Sequence, residues 1–261
     1  MKRFAVIGDP IAHTLSPNLH QEVYRQLELD ASFEKIHVTP NSLDSFINSN
    51  KLDGFNVTIP HKLSIIPFLK GLDEAAKTIG AVNCVHNGKG YNTDWIGFLK
   101  SMKLNGVDLN GKNCTILGAG GAARAIAYGL VQADVNSILI SNRTQDKADQ
   151  LLDWINSIFP TNFKSKHSDI IINCTPLGMW PDTESMPKVE IQNGQILADT
   201  IYNPMETAWL KAGKTKGAKT IGGLDMFIAQ GLASEDIWVG EKISEKIKLE
   251  TIKKGLKSEL C

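Results

Sequence analysis

Apolar and polar positions come in short blocks from the start of the chain. Residues 2–7 carry the run Phe4-Ala5-Val6-Ile7 and predict a first strand, closed by the breakers Gly8 and Pro10. Leu19, Val23 and Leu27 recur at helical spacing behind Ser16-Pro17, read as an N-cap with proline at the first helical position. Residues 33–38 alternate and predict a second strand, and Leu43, Phe46 and Ile47 a short helix capped by Asn41 or Ser42. Residues 55–59 predict the next strand, with Val57 and Ile59 packed inward and Asn56 and Thr58 on the other face. Pro60 should stop that strand and open a helix to about Lys70, with Lys62 near the helix's positive end, an unfavourable place for a lysine. Residues 73–79 predict another helical turn or two. Residues 81–86 and Asn87-Gly88 predict a hairpin, and Ile96, Leu99 and Leu104 a helix that Thr93 or Asp94 could cap.

Gly106, Asn110 and Gly111 mark a candidate domain boundary, after which the texture becomes a regular β-α-β alternation. Strands are predicted at 114–117, 137–140, 169–173, 196–199 and 219–221, and a helix from Leu224, with amphipathic helices over 235–254. Between the first of these strands and its helix stands Gly118-Ala119-Gly120-Gly121-Ala122-Ala123. This GxGxxA is the dinucleotide fingerprint in its proper context: Gly118 for the tight turn, Gly120 for close approach of a pyrophosphate, Ala123 for helix–strand packing. The following strand ends in Ser141-Asn142-Arg143-Thr144 with no acidic residue, and Lys147 adds a cation one turn on. An Asp or Glu there would hold the ribose hydroxyls of NAD, whereas an arginine accommodates a 2′-phosphate, so NADP is favoured.

The balance of charge narrows the function classes. Lys+Arg and Asp+Glu number 28 each in 261 residues, so no general field draws in nucleic acid or anionic membrane, and no stretch approaches a transmembrane helix. The start of the chain reads as a strand and not as a secretory segment. Cys84, Cys114, Cys174 and Cys261 are scattered without CxxC spacing, which argues against a metal site or a disulfide framework and favours the reducing cytoplasm.

Several stretches in order resemble shikimate dehydrogenases: Gly8-Asp9-Pro10-Ile11 with His13 and Ser16-Pro17, Asn56 through Lys62, Gly80-Ala81-Val82-Asn83, Asn92-Thr93-Asp94, the glycine-rich turn, Asn142-Arg143-Thr144, Asn173 through Met179, and Gly223 through Gln230. The resemblance implies an α/β protein of two domains with the active site in the cleft between them. Residues 1–105 with 227–261 would bind substrate, and 106–226 would form a Rossmann domain for NADP(H). It implies the reversible NADPH-dependent reduction of 3-dehydroshikimate to shikimate, on the route to chorismate and the aromatic amino acids. Lys62 and Asp94 would be the catalytic pair. Asn56, Thr58, Asn83 and Gln230 would hold ring hydroxyls, and Thr14, Ser16 and Tyr202 would lie at the carboxylate. Gly118, Ala119, Gly120, Gly121, Ala122, Asn142, Arg143, Thr144, Lys147, the run Thr175, Pro176, Leu177, Gly178, Met179, and Gly223 and Met226 would meet the cofactor.

The chemistry of the residues agrees with those roles. Hydride addition to a ketone builds charge on oxygen, which calls for a positioned acid and a cationic or hydrogen-bonding partner. A polyhydroxylated ring needs neutral polar partners such as Asn, Thr and Gln. One departure stands out: Thr14 occupies a position where the family's usual residue is serine, adding a methyl group and a stiffer χ1. A broader quinate/shikimate dehydrogenase using NAD or NADP is the alternative enzyme, and a non-catalytic dinucleotide sensor the alternative of another class. A homodimer stays open as the state of assembly.

Overall fold

Strand β1 (Lys2–Gly8) lies between two parallel neighbours, and the first half of the chain is arranged around it. In the computed structural model, which describes residues 1–159 and 167–260, the chain forms two units: residues 1–94 with 228–259, and residues 95–227 with Leu260. Cys261 lies outside the described residues.

In the first unit β1 is followed by α1 (Ser16–Leu27), β2 (Ala31–His37), α2 (Leu43–Ser49), β3 (Gly54–Val57), α3 (His61–Ser64), β4 (Gly71–Leu72), α4 (Glu74–Ile79), β5 (Cys84–His86) and β6 (Lys89–Tyr91). The sheet order is β2-β1-β3-β5-β6-β4, parallel across β2-β1-β3 and antiparallel across β3-β5-β6. The chain leaves β1 to one side for β2 and returns on the other for β3, so their carboxyl ends flank a topological switch point. One core joins Ala5, Ile7, Phe55, Val57 and Val82. Elsewhere in this unit Phe4 stacks on Trp238, and the Trp238 indole donates to Val85 O.

The chain enters the second unit through α5 (Asp94–Leu104), which the sequence reading assigns to the first domain. Its Phe98 and Met102 are buried in the second unit's core, which accounts for the earlier division. Then come β7 (Asn113–Leu117), α6 (Gly121–Gln132), β8 (Ser137–Ser141), α7 (Gln145–Ile158), β9 (Ile170–Asn173), β10 (Ile196–Asp199), α8 (Ala208–Thr215), β11 (Lys219–Ile221), α9 (Leu224–Val239) and α10 (Leu249–Lys257). The all-parallel order β11-β10-β9-β7-β8 places another switch point between β7 and β9. Alternation along the strands buries both faces, Ile116, Ile170 and Ile172 in one core and Leu117, Ile171 and Leu197 in another.

Four local expectations are corrected. Ser16 is the first residue of α1, not its cap; Leu15 holds the cap position. Ile59 is 62% exposed and not packed inward, lying two residues beyond the end of β3 at Val57. The helix after Pro60 stops at Ser64 and gives way to a 3-10 turn over Ile66–Phe68, since Pro67 lacks the N–H a continuing helix needs. The C-terminal helical stretch is α9 running to Val239, a break at Gly240 with φ +82°, and a separate α10.

Candidate active site and dinucleotide cradle

Lys62 and Asp94 are 32 residues apart in sequence and meet in the first unit. Lys62 Nζ donates to Asp94 Oδ2 at 2.6 Å, with the two side chains 17% and 7% exposed. Each is held by its backbone. Lys62 O accepts from Val82 N at 2.7 Å, and Asp94 N donates to Asn92 Oδ1 at 3.1 Å. Asp94 Oδ1 accepts from Asn83 Nδ2 at 2.8 Å, so the carboxylate is gripped on both oxygens.

Asn83 is the hub. Its Oδ1 accepts from Thr93 N at 2.7 Å, which fixes the amide orientation, and its two Nδ2 hydrogens are shared among Thr93 Oγ1, Asp94 Oδ1 and Gln230 Oε1 at 2.9, 2.8 and 3.2 Å. Two hydrogens cannot serve three acceptors fully, and the contact to Gln230 is the longest of the three. Asn56 joins through the backbone, donating to Asn83 O at 3.1 Å and to Ser234 Oγ at 2.8 Å. Thr58 follows β3, half-buried beside Gly8, where a Cβ would come within 2.6 Å of the threonine methyl. The structure thus brings Lys62, Asp94, Asn83, Asn56 and Gln230 into one connected network. Ser234 and the Thr93 hydroxyl belong to it and were not foreseen; the available signal was spacing, since Ser234 lies one helical turn beyond Gln230.

At the start of α1, Thr14 Oγ1 donates to Ser16 Oγ at 3.0 Å and accepts from Ser16 N at 3.2 Å. The threonine proton is therefore committed to Ser16, whose own hydroxyl proton has no acceptor among the described residues.

In the second unit the glycine-rich turn sits at the β7/β9 switch point. Gly118 has φ +108°, and a Cβ there would lie 3.2 Å from Cys174 C and O. Only glycine suits that conformation, and it lets β7 and β9 close at their carboxyl ends. Gly120 caps α6 with no side chain, and a Cβ at Gly120 would meet nothing within 4 Å. Open space above the first-turn amides of Gly121, Ala122 and Ala123 is what a pyrophosphate requires. At the end of β8, Asn142 Nδ2 donates to Thr144 O at 2.9 Å and so shapes the turn into α7. Arg143 and Lys147 are exposed there, without a carboxylate partner among the described residues. A dinucleotide with a 2′-phosphate fits this donor set.

After β9, Thr175 N and Oγ1 both donate to Asn173 Oδ1, at 3.0 and 2.6 Å, and Leu177 N donates to Thr175 Oγ1 at 3.3 Å. Pro176 and Gly178 continue this turn, Gly178 at φ +93°, and leave Leu177 and Met179 exposed. Ala119 packs against the core beside the turn. Gly223 passes so close to the chain that a Cβ would lie 2.5 Å from Thr200 O. Met226 is a core residue, 9% exposed, and Tyr202 stacks on Phe227 with centroids 4.3 Å apart. Asp199, at the end of β10, accepts from Asn173 Nδ2 at 3.1 Å, Ile201 N at 3.0 Å and Thr207 Oγ1 at 2.8 Å, yet burial pushes its carboxyl up to about 6.

Comparison with known proteins agrees with both halves. Residues 6–85 match the model of the shikimate dehydrogenase substrate binding domain, and residues 99–176 that of shikimate / quinate 5-dehydrogenase. The chain is 40% identical over 258 residues to the shikimate dehydrogenase (NADP(+)) of Methanosphaera stadtmanae, covering 90% of each chain. Its fold superposes on a crystal structure of a shikimate dehydrogenase in complex with NADP+ with a TM-score of 0.92, at 36% identity, over 100% of this chain and 96% of the other. The enzyme of Thermus thermophilus in complex with NADP(H) and shikimate gives 0.87 at 29% identity, with full coverage of both chains. With these likenesses spanning the polar network and the glycine-rich turn alike, the chain belongs to the shikimate dehydrogenase family.

Proposed function

We propose that this protein catalyses the reversible, NADPH-dependent reduction of 3-dehydroshikimate to shikimate, the step of aromatic amino-acid biosynthesis its family serves. The first unit binds the substrate and the second binds NADP(H). Bound NADPH supplies the hydride. The proton is handled by the Lys62–Asp94 pair: the ammonium donates toward the ketone oxygen as charge builds there, and Asp94 holds it in place. Asn56, Thr58, Asn83 and Gln230 receive the ring hydroxyls, and Ser16, oriented by Thr14, receives the carboxylate with Tyr202. The cofactor is held by the turn from Gly118 to Ala122, by Asn142, Arg143, Thr144 and Lys147 at its adenosine end, and by residues 175–179 with Gly223. Met226 contributes by packing beneath that site.

The observation that carries this reading is the 2.6 Å Lys62–Asp94 pair, tied through Asn83 to Gln230 in one polar network. Initial-rate oxidation of shikimate and of quinate, each with NADP and with NAD, tests it. Turnover essentially confined to shikimate with NADP is expected. Comparable rates with quinate or NAD would make it the broader dehydrogenase, and cofactor binding without turnover would make it a sensor. We place the enzyme in the cytoplasm, acting on small molecules without nucleic acid. Among the described residues Cys84, Cys114 and Cys174 form no disulfide, as suits a reducing compartment. Among the described residues no helix is long and apolar enough to cross a membrane.

A further inference from the structure

The network around Asn56 contains an acceptor with nothing to accept from. Asn56 is 6% exposed, and its Nδ2 donates to Asn83 O and to Ser234 Oγ. Asn83 O is a backbone carbonyl and cannot donate, so the reversed amide would set two carbonyl oxygens against each other. The nitrogen is therefore turned toward Asn83 and Ser234, and Oδ1 is left buried with no donor among the described residues. Such an acceptor is costly to leave unmet, which makes it a place for a ligand donor.

Ser234 reinforces the polarity that Asn83 O imposes. Its hydroxyl contacts Gln230 O at 3.1 Å as donor and Thr93 Oγ1 at 3.3 Å, so a lone pair faces Asn56. It is fully buried and lies on α9 one turn beyond Gln230. Through Asn83 the same network reaches Asp94 and Lys62.

We propose that Ser234 is a positioning residue for substrate recognition: with Asn83 O it accepts from the two amide hydrogens of Asn56 and so locks the side chain with Oδ1 as the open acceptor, selecting a ligand hydroxyl that donates at that point over a carbonyl or ether oxygen. The inference rests on the shikimate reading above. Shikimate carries two ring hydroxyls, at C4 and C5, that persist through the reaction. A hydroxyl read in this way stabilises ground state and transition state alike, so its loss appears in KM and not in kcat.

The experiment measures kcat and KM for shikimate, 4-deoxyshikimate and 5-deoxyshikimate at saturating NADP, in the wild type, Ser234→Ala, Asn56→Ala and the double variant. For Ser234→Ala a KM for shikimate raised about tenfold is expected, the scale of one buried hydrogen bond, with kcat and KM for NADP within about twofold. The rise should persist for one deoxy analogue and vanish for the other, and Ser234→Ala should add less than about twofold in the Asn56→Ala background. An unchanged KM, an equal rise for all three substrates, or an equal rise in both backgrounds overturns the proposal. A wild type inactive on shikimate overturns the reading beneath it as well. Should Ser234→Ala not fold, Ser234→Cys keeps the volume with a weaker acceptor, and the same selective rise in KM is required of it.

Discussion

Asp94 holds Lys62 with one carboxylate oxygen and Asn83 with the other, at 2.6 and 2.8 Å. The ammonium is thus positioned by a group that is itself positioned, which is how a proton donor is kept ready. Lys62→Ala should lower kcat by two orders of magnitude or more, about the scale of general acid–base contributions, while far-UV circular dichroism stays unchanged. Asp94→Asn should also lower kcat, since its single amide oxygen can accept from Lys62 or from Asn83 Nδ2 but not from both. Steady-state turnover of shikimate with NADP checks both; a kcat near wild type for Lys62→Ala would remove Lys62 from the chemistry.

Much of this arrangement was legible in the residue pattern, for identifiable reasons. The run from Cys114 to Ala123 carries its own structural context: a buried strand, glycines where only glycine fits, and a helix start. The polar positions 56, 83 and 94 lie at the ends of elements that periodicity and turn residues mark. What escaped depends on contacts distant in sequence or on a single local breaker. Nothing near Ser234 says that it meets Asn56, 178 residues away. Asp199 reads as an ordinary strand end until Asn173 and Thr207 are seen closing over it. Pro67 ends the helical stretch after Lys62 early, although Leu63, Ile65 and Ile66 continue the apolar pattern up to it.

Arg143 stands exposed at the end of β8, in the run Ser141-Asn142-Arg143-Thr144, which carries no acidic side chain. Arg143→Asp replaces the cation suited to a 2′-phosphate with a group suited to ribose hydroxyls. KM for NADPH should rise at least about tenfold, the worth of one charge-assisted contact, while KM for NADH changes little or falls. Parallel titrations of the two cofactors check this, and equal losses for both would mean that Arg143 never meets the 2′-phosphate.

Thr14 departs from the serine usual in the family, but its hydroxyl makes bonds that a serine could make: donor to Ser16 Oγ and acceptor from Ser16 N. Thr14→Ser should therefore leave KM and kcat for shikimate and quinate within about twofold. Thr14→Val keeps the shape, removes both bonds and frees Ser16 to rotate, so KM for shikimate should rise several-fold, about the value of one neutral hydrogen bond. A large change in the shikimate-to-quinate ratio for Thr14→Ser would show instead that the extra methyl shapes the pocket.

Asp199 gives the second unit a pH dependence whose sign follows from its burial. Burial raises its carboxyl from 3.8 to about 6 in the folded protein, against the opposing bonds from Ile201, Thr207 and Asn173. Between those values the folded chain holds the proton more tightly than the unfolded chain does. Stability from this group is therefore full below about pH 4, lost as pH rises toward 6 and level above it, an effect of up to about 3 kcal/mol. Asp199→Asn keeps an acceptor for Asn173 and Ile201, offers an N–H to Thr207, and has nothing to ionise. Urea unfolding at closely spaced pH values should show the wild type losing stability relative to Asp199→Asn from pH 4 to 6, and a constant difference above. Parallel profiles through that window would mean that Asp199 is charged throughout, with its three donors outweighing burial.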